Sequence, residues 1–244
     1  FVLGMALVSA HHRLYVLHSP QTSTPTTSTT VTVIDVNPNS DSFHEIVATA
    51  ALPIRLRGQG IQVNSHTQRV YISATGLAGG PAGVGGVYVY NPTAEIGAVT
   101  KIMNTTNAWS LVVNEAANLV FATSTNGPNL WVYAIDGVSN ALAIIPTGYS
   151  MRFGPNDERM VVHEATGKVF IRLEFQVLVF DGQPGSPTRN TVVGAVNVGR
   201  EGGATDIAID QELGLVVTVG SVAFQPHSIS VARDALVETI PLNR

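Results

Sequence analysis

The sequence predicts an all-β protein made of five repeats of four short strands each. One strand in every repeat is easy to recognise, because it is rich in Val, Tyr and Phe and follows a short polar turn. Its five copies are Arg13–Val16, Arg69–Ile72, Leu119–Ala122, Lys168–Ile171 and Leu215–Thr218. They start 56, 50, 49 and 47 residues apart. A repeat of this length that holds four strands is typical of propeller blades. The predicted fold class is therefore a β-propeller of about five four-stranded blades.

The first strand of each repeat is predicted from a run of residues that ends in a polar side chain. The five runs are Met5–Ser9, Gly60–Asn64, Ser110–Asn114, Met160–His163 and Asp206–Asp210. All but the second are consecutive apolar residues up to that polar end. Such runs indicate burial on both faces, which we expect for the innermost strand of a blade.

The third strand of four repeats ends in Asp or Asn. The predicted third strands are Thr30–Asp35, Gly86–Asn91, Leu130–Asp136, Gln176–Asp181 and Ser228–Arg233, the last being the exception. A short polar side chain at that point can accept a hydrogen bond from a backbone N–H two residues later and so open a hairpin. The fourth strands that follow are predicted at Glu45–Ala50, Gly97–Met103, Ala141–Ile145, Thr191–Val198 and Leu236–Leu242. Their mixed pattern fits an outer, edge position.

The period runs from end to end, so we predict a single propeller domain over residues 1–244. The predicted repeats are 5–54, 55–107, 108–158, 159–204 and 205–244. The opening residues resemble the core of a signal peptide but lack a basic start, so we interpret them as a strand. Phe1–Gly4 also aligns with the ends of fourth strands, such as Val196–Gly199. Two arrangements remain open: a closed five-bladed ring, which we favour, or a segment of a larger propeller whose uncovered apolar faces require a partner.

The composition excludes some classes of function. Apolar residues make up 45% of the chain and charged residues 12%, and the formal net charge is −4. A nucleic-acid binder would show a basic face, which this chain lacks, and we predict no nucleic-acid partner. No apolar run reaches the roughly 18 residues of a membrane span, so no membrane insertion is predicted. The absence of cysteine removes disulfides and thiolate chemistry.

Three segments carry a resemblance to a known family. They are Gln68–Ile72 on a second strand, Val31–Asp35 on a third strand and Val237–Leu242 on a fourth strand. Together they resemble the repeat of the YVTN family of β-propellers and of the wider lactonase-like group. The resemblance implies the blade rather than a reaction, and it implies a ring of about seven blades where we count five. Lactonase-like propellers also place a carboxylate, and sometimes a metal, at the mouth of the channel.

The segments that lead into the first strands share one face of a propeller and surround the mouth of its channel. Eight of their residues form a candidate ligand-binding rim: Arg55, Arg57, Gln59, Asn107, Trp109, Arg152, Arg159 and Arg200. Guanidinium groups suit bidentate binding of a carboxylate or phosphate, so a small anionic ligand is one interpretation. The same segments carry Asp157, Glu158, Glu201 and Asp206. The alternative is that these acids pair with the arginines and merely hold the loops together.

Two functional hypotheses follow. The leading one is a non-catalytic binding or assembly module, in which loops on a rigid scaffold recognise another protein or a second copy. The rival is a lactonase- or lyase-type enzyme acting on a small anionic substrate. Its base would be Glu201 or Asp206, and Arg200 or Arg152 would stabilise an oxyanion.

Neither hypothesis requires a cofactor, and none is predicted. The four histidines near the turns after the first strands, His11, His12, His66 and His163, would occupy equivalent points of different blades. Equivalent points on a ring stand apart, so we predict no metal site. Asn104-Thr105-Thr106 is an N-glycosylation sequon, and residues 19–29 are almost wholly Ser, Thr, Pro and Gln. Both features favour a location that is extracellular, periplasmic or on the cell surface.

Overall fold

A computed structural model describes residues 2–19, 28–53, 56–76, 85–92, 99–126, 128–150, 159–173, 175–198, 204–220, 226–230 and 235–239. In these residues twenty strands form five antiparallel sheets of four strands each. Among the described residues the one helical element is a single turn of 3-10 helix, Ser9–His11. No helix in the described residues has the length and apolarity that crossing a membrane requires. The predicted all-β fold with five four-stranded blades is confirmed.

The strands follow one another within each blade in sequence order. Blade 1 contains β1 (Val2–Val8), β2 (Arg13–His18), β3 (Thr30–Asp35) and β4 (Ile46–Ala51). Blade 2 contains β5 (Leu56–Asn64), β6 (Arg69–Gly76), β7 (Gly86–Tyr90) and β8 (Val99–Lys101). Blade 3 contains β9 (Ala108–Asn114), β10 (Leu119–Asn126), β11 (Asn129–Asp136) and β12 (Leu142–Ser150). Blade 4 contains β13 (Arg159–His163), β14 (Lys168–Arg172), β15 (Gln176–Asp181) and β16 (Thr191–Asn197). Blade 5 contains β17 (Ala204–Asp210), β18 (Leu215–Gly220), β19 (Pro226–Ser230) and β20 (Ala235–Thr239).

The second and third strands, not the first, are the doubly buried strands of the inner blades. Every residue of β7 is buried, as are all but the first residue of β14 and of β15. The first strands alternate instead: in β5, Arg57 and Gln62 are exposed while Ile61 is buried. The prediction that first strands are buried on both faces is therefore wrong. An innermost strand has a second-strand neighbour on one edge only, and the side chains near its start border an open cavity.

Consecutive blades pack face to face, and their first strands run side by side. Four apolar clusters fill the blade interfaces, and each combines side chains from two neighbouring blades. Polar contacts add to this packing at the turns. Tyr71 of blade 2 donates a hydrogen bond to the carbonyl of Gly137 in blade 3, over 3.1 Å. His163 of blade 4 contacts the carbonyl of Gln211 in blade 5 through Nε2, at 3.1 Å.

The five blades form an open arc. β1 packs on β5, β5 on β9, β9 on β13 and β13 on β17, but the described residues show no comparable packing between β17 and β1. Met5 and Leu7 of β1 are accordingly 63% and 60% exposed. The closed five-bladed ring that we favoured is therefore wrong. So is the alignment of the opening residues with a fourth strand, because Val2 and Gly4 pair with β2 as part of β1.

Three acidic side chains close the hairpins between third and fourth strands, as the sequence predicts. Asp35 accepts a hydrogen bond from the backbone N–H of Asn37 at 2.8 Å. Asp136 accepts from the N–H of Val138 at 3.0 Å, and Asp181 from that of Gln183 at 2.9 Å. Each carboxylate thereby occupies the same corner of a different blade.

The turn between the first and second strands has a different recurring element. In all five blades the residue immediately before the second strand has a positive φ: His12, Gln68, Asn118, Gly167 and Gly214. Only two of the five are glycine, although glycine adopts this conformation most easily. The other three hold a backbone conformation that residues other than glycine seldom adopt.

The pKa of Asp35 is lowered to about 2, because the Ser42 hydroxyl and the Asn37 N–H donate hydrogen bonds to its carboxylate and Arg13 lies 2.7 Å away. A carboxyl group with a lowered pKa stabilises the folded state above its unfolded pKa of about 4, and this contribution is lost as the pH falls towards 2. We therefore expect the free energy of unfolding to decline between pH 4 and 2. The decline should be smaller in Asp35→Asn, measured by urea unfolding at several pH values. Equal declines in both proteins would contradict this role of Asp35.

Candidate functional site

The first strands of all five blades border one central cavity of about 520 Å³. Its wall is built from the start of each strand: Val2–Met5 of β1, Arg57–Gln62 of β5, Trp109–Leu111 of β9, Arg159–Met160 of β13 and Asp206–Ile207 of β17. Volumes of about 300 to 1,000 Å³ are usual for sites that bind small molecules. The cavity is therefore the candidate functional site.

Two guanidinium groups give the cavity its positive charge. Arg57 of blade 2 and Arg159 of blade 4 both line it, and both are exposed. Among the described residues neither arginine is paired with an acid, whereas Arg13 of blade 1 forms an ion pair with Asp35 at 2.7 Å. The cavity wall thus presents cationic groups whose charge the described acids do not neutralise.

Gln59 and Trp109 are held in place by the second strands of their own blades. The side-chain amide of Gln59 donates to the hydroxyl of Thr75 at 2.9 Å. The indole N–H of Trp109 donates to the hydroxyl of Thr125 at 3.3 Å. The backbone carbonyl of Trp109 also accepts a hydrogen bond from Ser73 of blade 2 at 2.8 Å. These bonds position an aromatic ring and an amide on the wall of the cavity.

Asp206 is the one carboxylate on the cavity wall among the described residues. It is exposed, and one of its oxygens accepts a hydrogen bond from the backbone N–H of Ile207 at 2.9 Å. Its other oxygen has no hydrogen-bond partner in the described part of the chain. A carboxylate and two guanidinium groups therefore border the same space.

The structure brings together part of the rim that the sequence predicts. Arg57, Gln59, Trp109, Arg159 and Asp206 all line the cavity. Asn107 does not line it, because its side-chain oxygen instead accepts a hydrogen bond from the N–H of Gly76 at 3.1 Å, which ties blade 3 to blade 2. The remaining predicted residues, Arg55, Arg152, Arg200 and Glu201, lie outside the described residues, as do Asp157 and Glu158.

One cavity residue escaped the sequence analysis. Gln62 is exposed on β5 and lines the cavity. The sequence did contain a signal for it, since Gly60–Asn64 is the one predicted first strand that is not an apolar run. A polar side chain in the middle of an innermost strand stays hydrated only if it faces the channel.

The other predicted sites lie away from the cavity. Asn104 is exposed in a turn with a φ of 62°, between β8 and β9. His163 contacts Thr166 through Nδ1 at 2.9 Å and has a role in the interface between blades 4 and 5. Across the parts of the chain that the structure describes, no three His, Asp or Glu side chains come together in a way that could hold a metal ion.

Comparisons with known proteins identify the fold. No family model matches the sequence, and no curated protein matches it. The structure is similar to the propeller of Dos1, with a TM-score of 0.73 and 14% identity, covering 100% of this chain and 61% of that one. It is also similar to a chain of the nidogen/laminin complex, with a TM-score of 0.57 and 9% identity, covering 99% of this chain and 80% of that one.

A third similar structure is an auxiliary nutrient binding protein from Bacteroides thetaiotaomicron. The TM-score is 0.59 and the identity 9%, over 98% of this chain and 56% of that one. This chain therefore spans less than two thirds of the length of two of the three proteins. At these identities the similarity establishes the class of fold, and the chain is a β-propeller.

Proposed function

We propose that this β-propeller is a non-catalytic binding scaffold that acts outside the cytoplasm and holds a small anionic ligand in its central cavity. The observation that carries the proposal is the pair of exposed guanidinium groups, Arg57 and Arg159, on the wall of one cavity. Neither group is neutralised by a described acid. Two cationic groups on the wall of one cavity attract an anion from solution.

The chemistry of these groups indicates the class of ligand. A guanidinium group donates two parallel hydrogen bonds to a carboxylate or phosphate, which gives direction as well as charge attraction. Arg57 and Arg159 belong to different blades, so one ligand with two anionic ends, or one phosphate, could contact both. Trp109 and Gln59 would add an apolar surface and an amide, and both are already positioned by hydrogen bonds.

A location outside the cytoplasm and a protein partner are supported by independent features. The Asn104 sequon lies on an exposed turn, where an attached sugar would meet no steric obstacle. Two structural neighbours are a chain of the nidogen/laminin complex and an auxiliary nutrient binding protein, and a binding role here agrees with both. The YVTN-type resemblance of the repeat also fits a scaffold whose loops carry recognition.

A second function, lactone or lyase chemistry, is favoured by one specific observation. Asp206 places an exposed carboxylate on the same cavity wall as Arg57 and Arg159. A general base needs access to substrate and solvent, and an arginine beside it could stabilise a developing oxyanion. Both kinds of group are present on the wall of this cavity, which is what supports the second function.

Anion binding tests the proposed function. Trp131→Phe leaves Trp109 as the sole indole, so its fluorescence reports titration with succinate or inorganic phosphate. We expect Arg57→Gln and Arg159→Gln each to weaken binding about tenfold, because each removes one charge-assisted pair. Arg189→Gln, an exposed arginine on the turn before β16, is the matched control and should leave affinity unchanged. Failure of the unmodified protein to bind either anion would refute the proposal.

Catalysis is tested separately with a panel of lactones and the variant Asp206→Asn. If the cavity is an active site, this variant should lose at least about a hundredfold in hydrolysis rate, as expected for removal of a general base. It should not weaken anion binding, because it removes a negative charge from the cavity. Asp210→Asn at the other end of β17 is the control, since Asp210 accepts hydrogen bonds from Glu212 and Leu213 and does not line the cavity. No turnover by the unmodified protein would exclude the enzymatic function for these substrates.

A further inference from the structure

One register position of the first strands carries two of the three charged side chains on the described cavity wall. In each blade it is the residue immediately before the one that pairs with the fourth residue of the second strand. In blades 1 to 5 this position holds Gly4, Gly60, Ser110, Arg159 and Asp206, and all five residues line the cavity. Blades 4 and 5 therefore place opposite charges at a point where blades 1 and 2 have no side chain.

Arg159 and Asp206 lie at equivalent points of neighbouring strands without pairing with each other. β13 packs on β17, so the two side chains begin at adjacent points of the wall, and both are exposed. Among the described residues the guanidinium group is not paired with an acid. One oxygen of the Asp206 carboxylate accepts a hydrogen bond from the N–H of Ile207 at 2.9 Å. A ligand that carries an anionic and a cationic group close together could contact both side chains.

Arg57 adds a second positive charge from another part of the wall. It belongs to β5 of blade 2, and blade 3 separates that blade from blade 4. The described wall therefore presents two positive groups and one negative group. A binding site accepts the partner whose charges complement its own. The complement of this wall is a small molecule with two anionic groups and one cationic group, and α-amino acids with a second carboxylate have this set of charges.

We propose that the ligand of the cavity is an α-amino dicarboxylate, the chemical class of aspartate and glutamate. Its α-carboxylate binds Arg159, its α-ammonium group binds Asp206, and its second carboxylate binds Arg57. An α-amino acid carries its carboxylate and ammonium groups on one carbon, which suits two opposite charges at adjacent points of the wall. This inference rests on the proposed anion binding, and it goes further by naming the class of ligand and by making Asp206 a specificity-determining residue.

Two uncharged side chains of the wall are also suited to a ligand with an ammonium group. Trp109 is held by Thr125, and the electron-rich face of an indole ring attracts a cation. The amide nitrogen of Gln59 donates to Thr75, so the carbonyl oxygen of that amide can accept a hydrogen bond from an ammonium group. A carboxylate or phosphate has no proton to donate to either group at neutral pH.

Asp206 also discriminates against anions that lack a positive charge. A plain dicarboxylate or a phosphate that contacts Arg159 would bring negative charge towards the neighbouring carboxylate, with nothing on the ligand to compensate it. Like charges brought together in a binding site reduce affinity, and sites use such contacts to reject the wrong partner. A simple anion thus gives Asp206 no favourable contact, whereas an α-ammonium group gives it one.

Two matched pairs of ligands test the inference without changing the site. Aspartate and succinate differ only in the amino group, as do glutamate and glutarate. Titration calorimetry should show the amino acid of at least one pair binding about tenfold more tightly than its partner, because it gains one charge-assisted contact. If both plain dicarboxylates bind as tightly as the amino acids, the inference is overturned while the proposed anion binding stands. If none of the four ligands binds and phosphate does not bind either, the proposed function itself fails.

Asp206→Asn tests the role of the carboxylate directly. Asparagine keeps an oxygen that can accept the N–H of Ile207, so the variant should unfold at the same temperature as the unmodified protein. We expect it to bind the amino acid about tenfold more weakly and the matching dicarboxylate more tightly, because a negative charge is removed. Arg159→Gln should weaken both ligands, and Asp210→Asn, which lies outside the cavity, should change neither. An equal effect of Asp206→Asn on the two ligands of a pair would contradict the inference.

Discussion

The rest of the structure depends on one repeated contact, in which a face of one blade packs on the facing side of the next blade. The earlier blade of each pair contributes an aromatic residue of its second strand, and the following blade contributes aliphatic residues of its first strand. The four aromatic residues are Tyr15, Tyr71, Phe121 and Phe170. Apolar burial of this kind is the largest favourable contribution to folding. Because the contact uses the same register positions each time, each blade is placed on its neighbour in the same way. The first strands then converge around the central cavity.

The cavity is a consequence of this stacking. Arg57 and Arg159 are far apart in the sequence and belong to blades 2 and 4, which are not consecutive, yet they line the same space. Charged residues make up only 12% of the chain, and two guanidinium groups and one carboxylate lie on this wall. The second strands, which are buried, anchor the cavity side chains through Thr75 and Thr125. A rigid apolar stack therefore supports a polar site at its centre, and the site can vary without changing the stack.

The sequence predicts the blades well because strand periodicity and turn chemistry are local properties. The bounds of β3 and β15 match the prediction residue for residue, and the Asp35, Asp136 and Asp181 turns form as expected. The sequence predicts exposure poorly, because exposure depends on what lies across a face. Met5 and Ile61 look alike in sequence. Ile61 is buried because blade 1 packs on it, whereas Met5 has no such neighbour among the described residues and is exposed. The same limit explains why Gln62 was missed and why ring closure was predicted wrongly.

The most direct measurement of the central claim compares two substitutions at equivalent register positions. Ile61→Ala removes a side chain that is 4% exposed, and Met5→Ala removes one of similar size that is 63% exposed. The free energies of unfolding are measured by urea denaturation at a concentration where single chains prevail. If contacts between blades stabilise the fold, Ile61→Ala should cost about 2 to 5 kcal/mol. Met5→Ala should then cost no more than about 0.5 kcal/mol. Equal costs for the two variants would contradict the claim that burial between neighbouring blades holds this structure together.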